Sequence, residues 1–483
     1  MKKYIKIISI TLAALVLNSC SEDLMDTINE NKNNPTDVAS SYILTDIMIS
    51  TAFSIVGSDA AFYSSVYVEH GVGVYGQLYN AEIRTGEPTS STTYNNTWNS
   101  IYSNLLNLKA VIEKCSEGGS EEGNYHALGV AQILTAYNLA ILTDLFGDVP
   151  WTEALQPGVV FTPKVDSQES IYSEIFTLLE NAITNLAQES EYPSLGAQDV
   201  IYDGDVDLWT KFANGLLARY TMRLSHVTPD YDAVISYANK SFTSVDEQAQ
   251  FVYDEASSFS PFYQFFEDRD YIGASQSLHE KLVARDDPRD TIYFAEYPDS
   301  GELIFAPNGS PEQKQKFYGV SAISIASAPT YLMSYHEVEF LKAEAYARQT
   351  EMDDATEALQ NAIAAAFQKP NIDLSSDDAE EYYTNEVVPR LTSNTATLRE
   401  IIVQKYLAFY EEEAIEAYND YRRLKAMGES DFIELKNPLN TNQFPLRFTY
   451  GAEDVTTNVN VRDVYGDGTY VYSEPVWWAG GSR

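Results

Sequence analysis

Side chains able to do catalytic chemistry are scarce and poorly spaced in this chain, whose 483 residues include five histidines and two cysteines. His336-Glu337-Val338-Glu339-Phe340 opens like a zinc-protease helix, but Phe340 stands where the second histidine is required and no other histidine lies at ligand spacing. A phosphate-cradling GxxxxGK(S/T), a GxGxxG after a strand and a GxSxG nucleophile elbow are all absent. Carboxylate pairs can be drawn at will from 71 acidic residues, so pairing alone is no argument for a glycosidase. Asp463, Asp467, Gly468 and Glu474 occupy positions 1, 5, 6 and 12 of an EF-hand-type calcium loop, yet Tyr465 stands at position 3 and no helix pair flanks them. A turn at Gly466-Asp467-Gly468 is the simpler reading. Catalytic residues, metal ligands and cofactors are accordingly not expected.

The chemistry the chain does offer is non-covalent. It holds 35 tyrosines and 21 phenylalanines. Two stretches concentrate them among Gly, Ser, Asp and Pro: 57–96, with Phe62, Tyr63, Tyr67, Tyr75, Tyr79 and Tyr94, and 253–318, with Phe259, Phe262, Tyr263, Phe265, Phe266 and Tyr271. Sugar rings present apolar C–H faces that stack on exposed aromatic rings, while Asn, Asp and Arg hydrogen-bond the hydroxyls. Tyr75, Tyr79, Tyr263, Phe266, Arg269 and Tyr271 are the expected ligand-binding residues, each with the alternative role of packing its loop onto the scaffold. Lys and Arg number 31 against the 71 acids, a net charge of -40 that repels phosphate backbones and excludes nucleic acid as a partner.

Cys20 is the one residue whose position implies covalent chemistry. It follows a basic start (Lys2, Lys3, Lys6), an apolar run at 7–17 and the small residue Ser19, the order of an export signal too short to span a bilayer. Leu17-Asn18-Ser19-Cys20 resembles a bacterial lipobox, in which cleavage precedes a cysteine that becomes acylated, with Asn18 a departure from the usual small or apolar residue. Several acyl chains would anchor the protein firmly. Removing 1–19 deletes three lysines and no acid, moving the net charge from -40 to -43. Ser21-Glu22-Asp23-Leu24-Met25-Asp26 resembles the acidic export tag that sends lipoproteins of Bacteroidota to the outer leaflet of the outer membrane; an ordinary acidic tether is the alternative. With Cys20 acylated, Cys115 has no intrachain partner and reads as a small buried hydrophobe.

These residues need a scaffold, and the hydrophobic pattern supplies a mainly α one. An acidic, Asn-rich tether at 20–37 precedes a single domain at 38–483. Apolar residues recur at helical spacing in four pairs of segments: 98–115 with 125–146, 167–186 with 207–225, 328–348 with 352–368, and 395–411 with 412–426. Small residues at close-packing positions (Ala343, Ala345, Ala347; Ala358, Ala362, Ala365) predict tetratricopeptide-like hairpins, while irregular spacing between pairs excludes a uniform solenoid. The aromatic stretches near 57–96 and 253–318 read as long loop insertions, and 435–483 as turns with short strands.

An ordered series of segments then carries a family likeness: 142–151 (LTDLFGDVPW), 216–224 (LLARYTMRL), Asp287-Pro288-Arg289, 337–346 (EVEFLKAEAY), Gln404-Lys405-Tyr406, 416–423 (EAYNDYRR), 445–450 (PLRFTY) and Glu453, together with the lipobox and Asn34-Pro35. Across essentially its whole length the chain resembles the SusD/RagB nutrient-binding outer-membrane lipoproteins. That resemblance implies four tetratricopeptide-like helix pairs, a surface lipid anchor, and a lid over a SusC-like TonB-dependent β-barrel transporter to which a captured oligo- or polysaccharide is passed. The binding residues above are not carried over from it. A peptide ligand, or a role mainly as lid or interaction subunit of the transporter, is the alternative reading. A surface glycoside hydrolase is a third class, which neither the motifs nor the resemblance favours. Of the matched segments, Trp151 is expected to pack, and Arg422 and Arg423, beside Asp420 and Glu416, to form helix-surface ion pairs or braces between helices.

Overall fold

Caps and glycines set the ends of the helices that the apolar stripes announce. The computed structural model describes residues 38–483 apart from 299 and 373. The export signal, Cys20 and the tether lie outside the described residues. In chain order the helices of six residues or more are α1 (Ser40–Ser50), α2 (Asp59–Tyr67), α3 (Gly76–Glu82), α4 (Asn95–Cys115), α5 (Tyr125–Phe146), α6 (Gln168–Leu186), α7 (Val206–Arg223), α8 (Tyr231–Ala238), α9 (Pro261–Arg269), α10 (Gln276–Val283), α11 (Tyr335–Arg348), α12 (Met352–Phe367), α13 (Ser376–Tyr382), α14 (Asn394–Ala408), α15 (Ala414–Met427), α16 (Ala452–Thr457) and α17 (Val459–Tyr465). Short strands β1 (Gly71–Gly73), β2 (Ala249–Phe251), β3 (Ile272–Ala274), β4 (Phe294–Ala295), β5 (Val320–Ser321) and β6 (Thr330–Met333) pair antiparallel as β1-β3, β2-β6 and β4-β5.

Helix α5 is the axis. It is long and apolar enough to cross a membrane, yet it is buried by the surrounding helices, as an all-round apolar helix of a large core must be. Asn124 caps its start by accepting from the Ala127 amide, and Gly147 ends it at φ 79°. A Cβ on Gly147 would come within 2.5 Å of the Arg447 guanidinium, so glycine there serves both the backbone turn and the close approach. Around α5 pack α4 and α6, and α7 packs on α6. Alanines let α11 and α12 approach closely: Ala343 and Ala347 share a core cluster with Ala355, Ala358, Ala362 and Ala366. Across the last pair, α14 and α15, large side chains intervene, and Lys405 reaches Asp420 at 2.6 Å. Helix α14 lies on α11, and α15 lies on α2.

Four expectations are corrected. The segment 328–334 is not helical: β6 occupies it, and Ser334 then caps α11 by accepting from the Glu337 amide at 3.2 Å. The stretch 57–96 is largely helical rather than a loop. Every residue of α2 after Asp59 is buried, so no polar face exists to reveal a period. The second stretch likewise contains α9 and α10, and the tail carries α16 and α17 where strands were expected. The turn at Gly466 and Gly468 is present, with Asp467 accepting from Thr469; Glu474, the twelfth position of the calcium-like loop, pairs with Arg483 at 2.6 Å.

Most of the charged residues of the matched segments are buried, and most of these bind one another. Arg219 bonds Glu337 through Nε at 2.7 Å, Arg223 meets Glu416 and, at 3.3 Å, Asp144, and Arg289 pairs with Asp287 at 2.6 Å. Arg423 is a brace between helices rather than a surface group, while Arg422 lies over the Tyr418 and Trp478 rings. Buried charges are tolerated only when paired, so these contacts fix how the helices sit.

Candidate functional site

The site begins where the first helix changes pitch. After Ser50, the segment Thr51–Val56 winds as a π-helix, a local widening that recurs at functional sites. The Thr51 hydroxyl at its start accepts from Asn104 (3.2 Å) and Asn138 (3.0 Å), tying the segment to α4 and α5. Phe53 from this segment lines a cleft of about 490 Å³, with α2 as its floor and α9 as its far wall. Pro261 starts α9 at the position where a missing amide costs nothing.

Aromatic and polar groups alternate around the cleft. Phe62 of α2 stacks on Phe265 of α9 with centroids 4.2 Å apart and meets Phe262 edge-on at 4.8 Å, so the two helices are joined through their rings. The Tyr63 hydroxyl donates to Glu87 at 2.6 Å. Asn96 donates to Asp59 at 2.8 Å, and burial raises the Asp59 carboxyl against that bond. Gln77, Asp268 and Arg269 complete a lining able both to donate to and to accept from hydroxyl groups.

The six expected ligand residues divide. Arg269 lines the cleft from the last turn of α9, with its side chain exposed. Tyr75, 37% exposed, sits at the start of α3 with its ring 5.4 Å from that of Tyr271. Gly76, at φ 57°, makes room for the Tyr271 ring, which meets Phe265 edge-on at 5.9 Å and so adjoins the cleft wall. The β1-β3 ladder brings these tyrosines together, since Val74 donates to the Tyr271 carbonyl at 2.8 Å. Tyr79, Tyr263 and Phe266 do not line the cleft; Tyr263 lies beside Phe259, and Phe266 beside Tyr297. Sequence reasoning missed Phe53, Asp59, Gln77, Glu87, Asn96 and Asp268. Phe62 and Tyr63 stood inside a flagged aromatic stretch, and that was the available signal.

This helical scaffold with an open aromatic and polar cleft has known counterparts. A SusD-like family model, described as starch-binding and associating with the outer membrane, matches residues 32–451. A SusD/RagB family protein from Bacteroides thetaiotaomicron, solved by crystallography, is 43% identical with a TM-score of 0.87 over 92% of this chain and 100% of that one. A chitin-binding SusD homolog from Flavobacterium johnsoniae shares the fold at 20% identity and a TM-score of 0.73, over 91% of this chain and 98% of that one. A SusD homolog from Bacteroides fragilis does so at 18% identity and a TM-score of 0.73, over 92% and 100%. No curated protein sequence matches. The architecture is that of an outer-membrane binding protein built on paired helices. The chain belongs to the SusD/RagB family of outer-membrane nutrient-binding proteins.

Proposed function

We propose that the protein captures a glycan in the cleft between α2 and α9 and passes it to a SusC-like TonB-dependent β-barrel transporter, held at the outer face of the outer membrane by acyl chains on Cys20. The observation that carries this reading is the lining of the cleft. Phe53 and Phe265, both half-buried, offer apolar surface for sugar C–H faces, with Phe62 and Tyr63 buried behind them, and Asp59, Glu87, Asn96, Gln77, Asp268 and Arg269 offer both donors and acceptors for hydroxyls. Arg269 contacts ligand directly in this reading, and Tyr75 with Tyr271 extends the surface beside it. Tyr79 on α3, and Tyr263 and Phe266 on α9, lie outside the cleft and are not ligand contacts in this reading.

No bond is made or broken in this reading. A shallow site of this kind binds by stacking and hydrogen bonds, with its affinity set by how many rings are engaged together. Starch is named by the family description and chitin by one homolog, which makes malto- and chito-oligosaccharides the first probes. Calorimetric titration of the purified protein should show saturable heat with one glycan series and none with a peptide pool. Saturable binding of peptides alone would transfer the cleft to the peptide reading.

A further inference from the structure

Phe265 lines both the cleft and a second, smaller cavity of about 40 Å³, so α9 is a wall shared between them. Phe262 and Phe266 extend the aromatic side of this cavity, and Ser321, Ser324 and Glu411 supply its polar side. Its volume suits a small head group, since one water requires on the order of 10–15 Å³ by the same measure.

Glu411 opens a run of three buried carboxylates. Glu412 pairs with Lys369 at 2.6 Å, and Glu413 with His336 at 2.5 Å. Glu411 makes no ion pair among the described residues. Its backbone adopts the left-handed conformation at φ 71°, uncommon for residues other than Gly, Asn and Asp, and strain of this kind concentrates at functional sites. Burial and the neighbouring Glu412 push its carboxyl up to about 7, with the hydroxyls of Ser321 and Ser324 and the Lys369 ammonium, itself paired with Glu412, opposing. An ionised carboxylate buried beside three phenylalanine rings is costly alone and stabilised by a cation, which the rings also attract.

We propose that this cavity is a binding site for a primary ammonium group, held by the Glu411 carboxylate and the rings of Phe262, Phe265 and Phe266. The group can belong to a free small amine or to an amino sugar. The strongly acidic protein surface raises the local concentration of either. The site does not depend on the glycan reading, so a protein that binds no glycan can still pass its test.

The test is thermal unfolding of the purified full chain near pH 8.5, where the carboxyl is ionised, in methylammonium chloride against sodium chloride at equal ionic strength. Methylammonium should raise the melting temperature by about 1–2 °C at tenfold saturation, and methanol, its neutral counterpart, should not. Glu411→Gln should abolish the increment. Should that variant fail to fold, Phe266→Leu, which keeps the carboxylate, should reduce it. Repeated near pH 7.5, where the weakly basic amine of glucosamine still carries charge, an increment with glucosamine but not N-acetylglucosamine assigns the ammonium group to a sugar, and one with methylammonium alone assigns it to a free amine. Equal melting temperatures in the two salts, or an increment that survives Glu411→Gln, would overturn the proposal.

Discussion

Arg423 and Glu344 face each other in a bidentate pair, with Nη1 and Nη2 each 2.7 Å from a carboxylate oxygen and neither side chain reaching solvent. The two residues lie 79 positions apart, on α15 and α11. Arg423 also meets Asp420 at 3.1 Å, Asp420 meets Lys405 at 2.6 Å, and Glu344 meets Arg348 at 2.8 Å, so a charge network links the third and fourth helix pairs. The segments that mark this chain as a family member are thus largely its internal braces, which is why they carry no catalytic meaning.

Truncating one partner leaves a buried charge underpaired. Arg423→Met should destabilise the protein by about 3–5 kcal/mol in urea unfolding. The double change Arg423→Met with Glu344→Gln should recover part of that loss. Additive losses in the double variant would show that the pair is not coupled.

The same pair makes a pH prediction. Burial alone would raise the Glu344 carboxyl, but Arg423 and Arg348 overcome it and hold the group down to about 2, against 4.5 for the ordinary side chain. The folded state therefore binds fewer protons than the unfolded state between those values. The contribution, about 3 kcal/mol, is fully present above about pH 4.5 and disappears as pH falls through about 2. The stability difference between wild type and Glu344→Gln, followed by urea unfolding, should be constant from pH 7 to about 5 and shrink below that. A difference that grows on acidification would contradict the assignment.

Gly147 tests the junction between α5 and the tail. Its positive φ and the 2.5 Å approach of a Cβ to Arg447 act together. Gly147→Ala should cost about 2 kcal/mol or more, well beyond the conformational term alone. Arg447→Ala in the same background should relieve the steric part, a non-additivity readable by thermal unfolding.

Much of the scaffold was legible because its paired helices are amphipathic: in α6, Ile171, Ile175, Leu178, Ala182 and Leu186 repeat at helical spacing and all are buried. Helix α2 was not, because its nine residues are buried on nearly all sides and leave no period to read, whereas α5, also buried all round, is long enough at 22 residues to read as a helix. The aromatic stretches announced a binding region without saying which rings line it. That choice is made by the approach of Phe265 to Phe62 across some two hundred residues and by the π-helical turn that brings Phe53 to the cleft, neither of which leaves a local trace. The pairing of Arg423 with Asp420 was legible from their spacing on one helix, but its distant partner Glu344 and the partners of Arg219 and Arg223 were hidden, since charge in a motif does not name a partner on another helix.

Cys20 lies outside the described residues, and its role is testable in cells. Cys20→Ala should remove the acylation site and shift the protein from the membrane fraction to the soluble fraction, without changing the unfolding transition of the purified domain. Membrane association that persists without acylation would assign attachment to the folded domain or to its transporter partner.

The cleft itself is tested most directly through Arg269 and Phe53, which line it from opposite elements. Arg269 is exposed and its guanidinium makes no ion pair among the described residues, so Arg269→Ala should leave the melting temperature unchanged. With a glycan that binds the wild type, the same change should weaken affinity about tenfold, the loss of one charge-assisted hydrogen bond. Phe53→Ala should weaken it by a similar factor through the lost stacking surface, at a modest cost in stability because Phe53 is half-buried beside Tyr253. Tyr263→Ala serves as the contrast: its ring does not line the cleft, and affinity should stay within twofold of wild type. If Tyr263→Ala abolishes binding while Arg269→Ala and Phe53→Ala do not, the ligand sits on the outer side of α9, and the cleft is a structural cavity rather than the binding site.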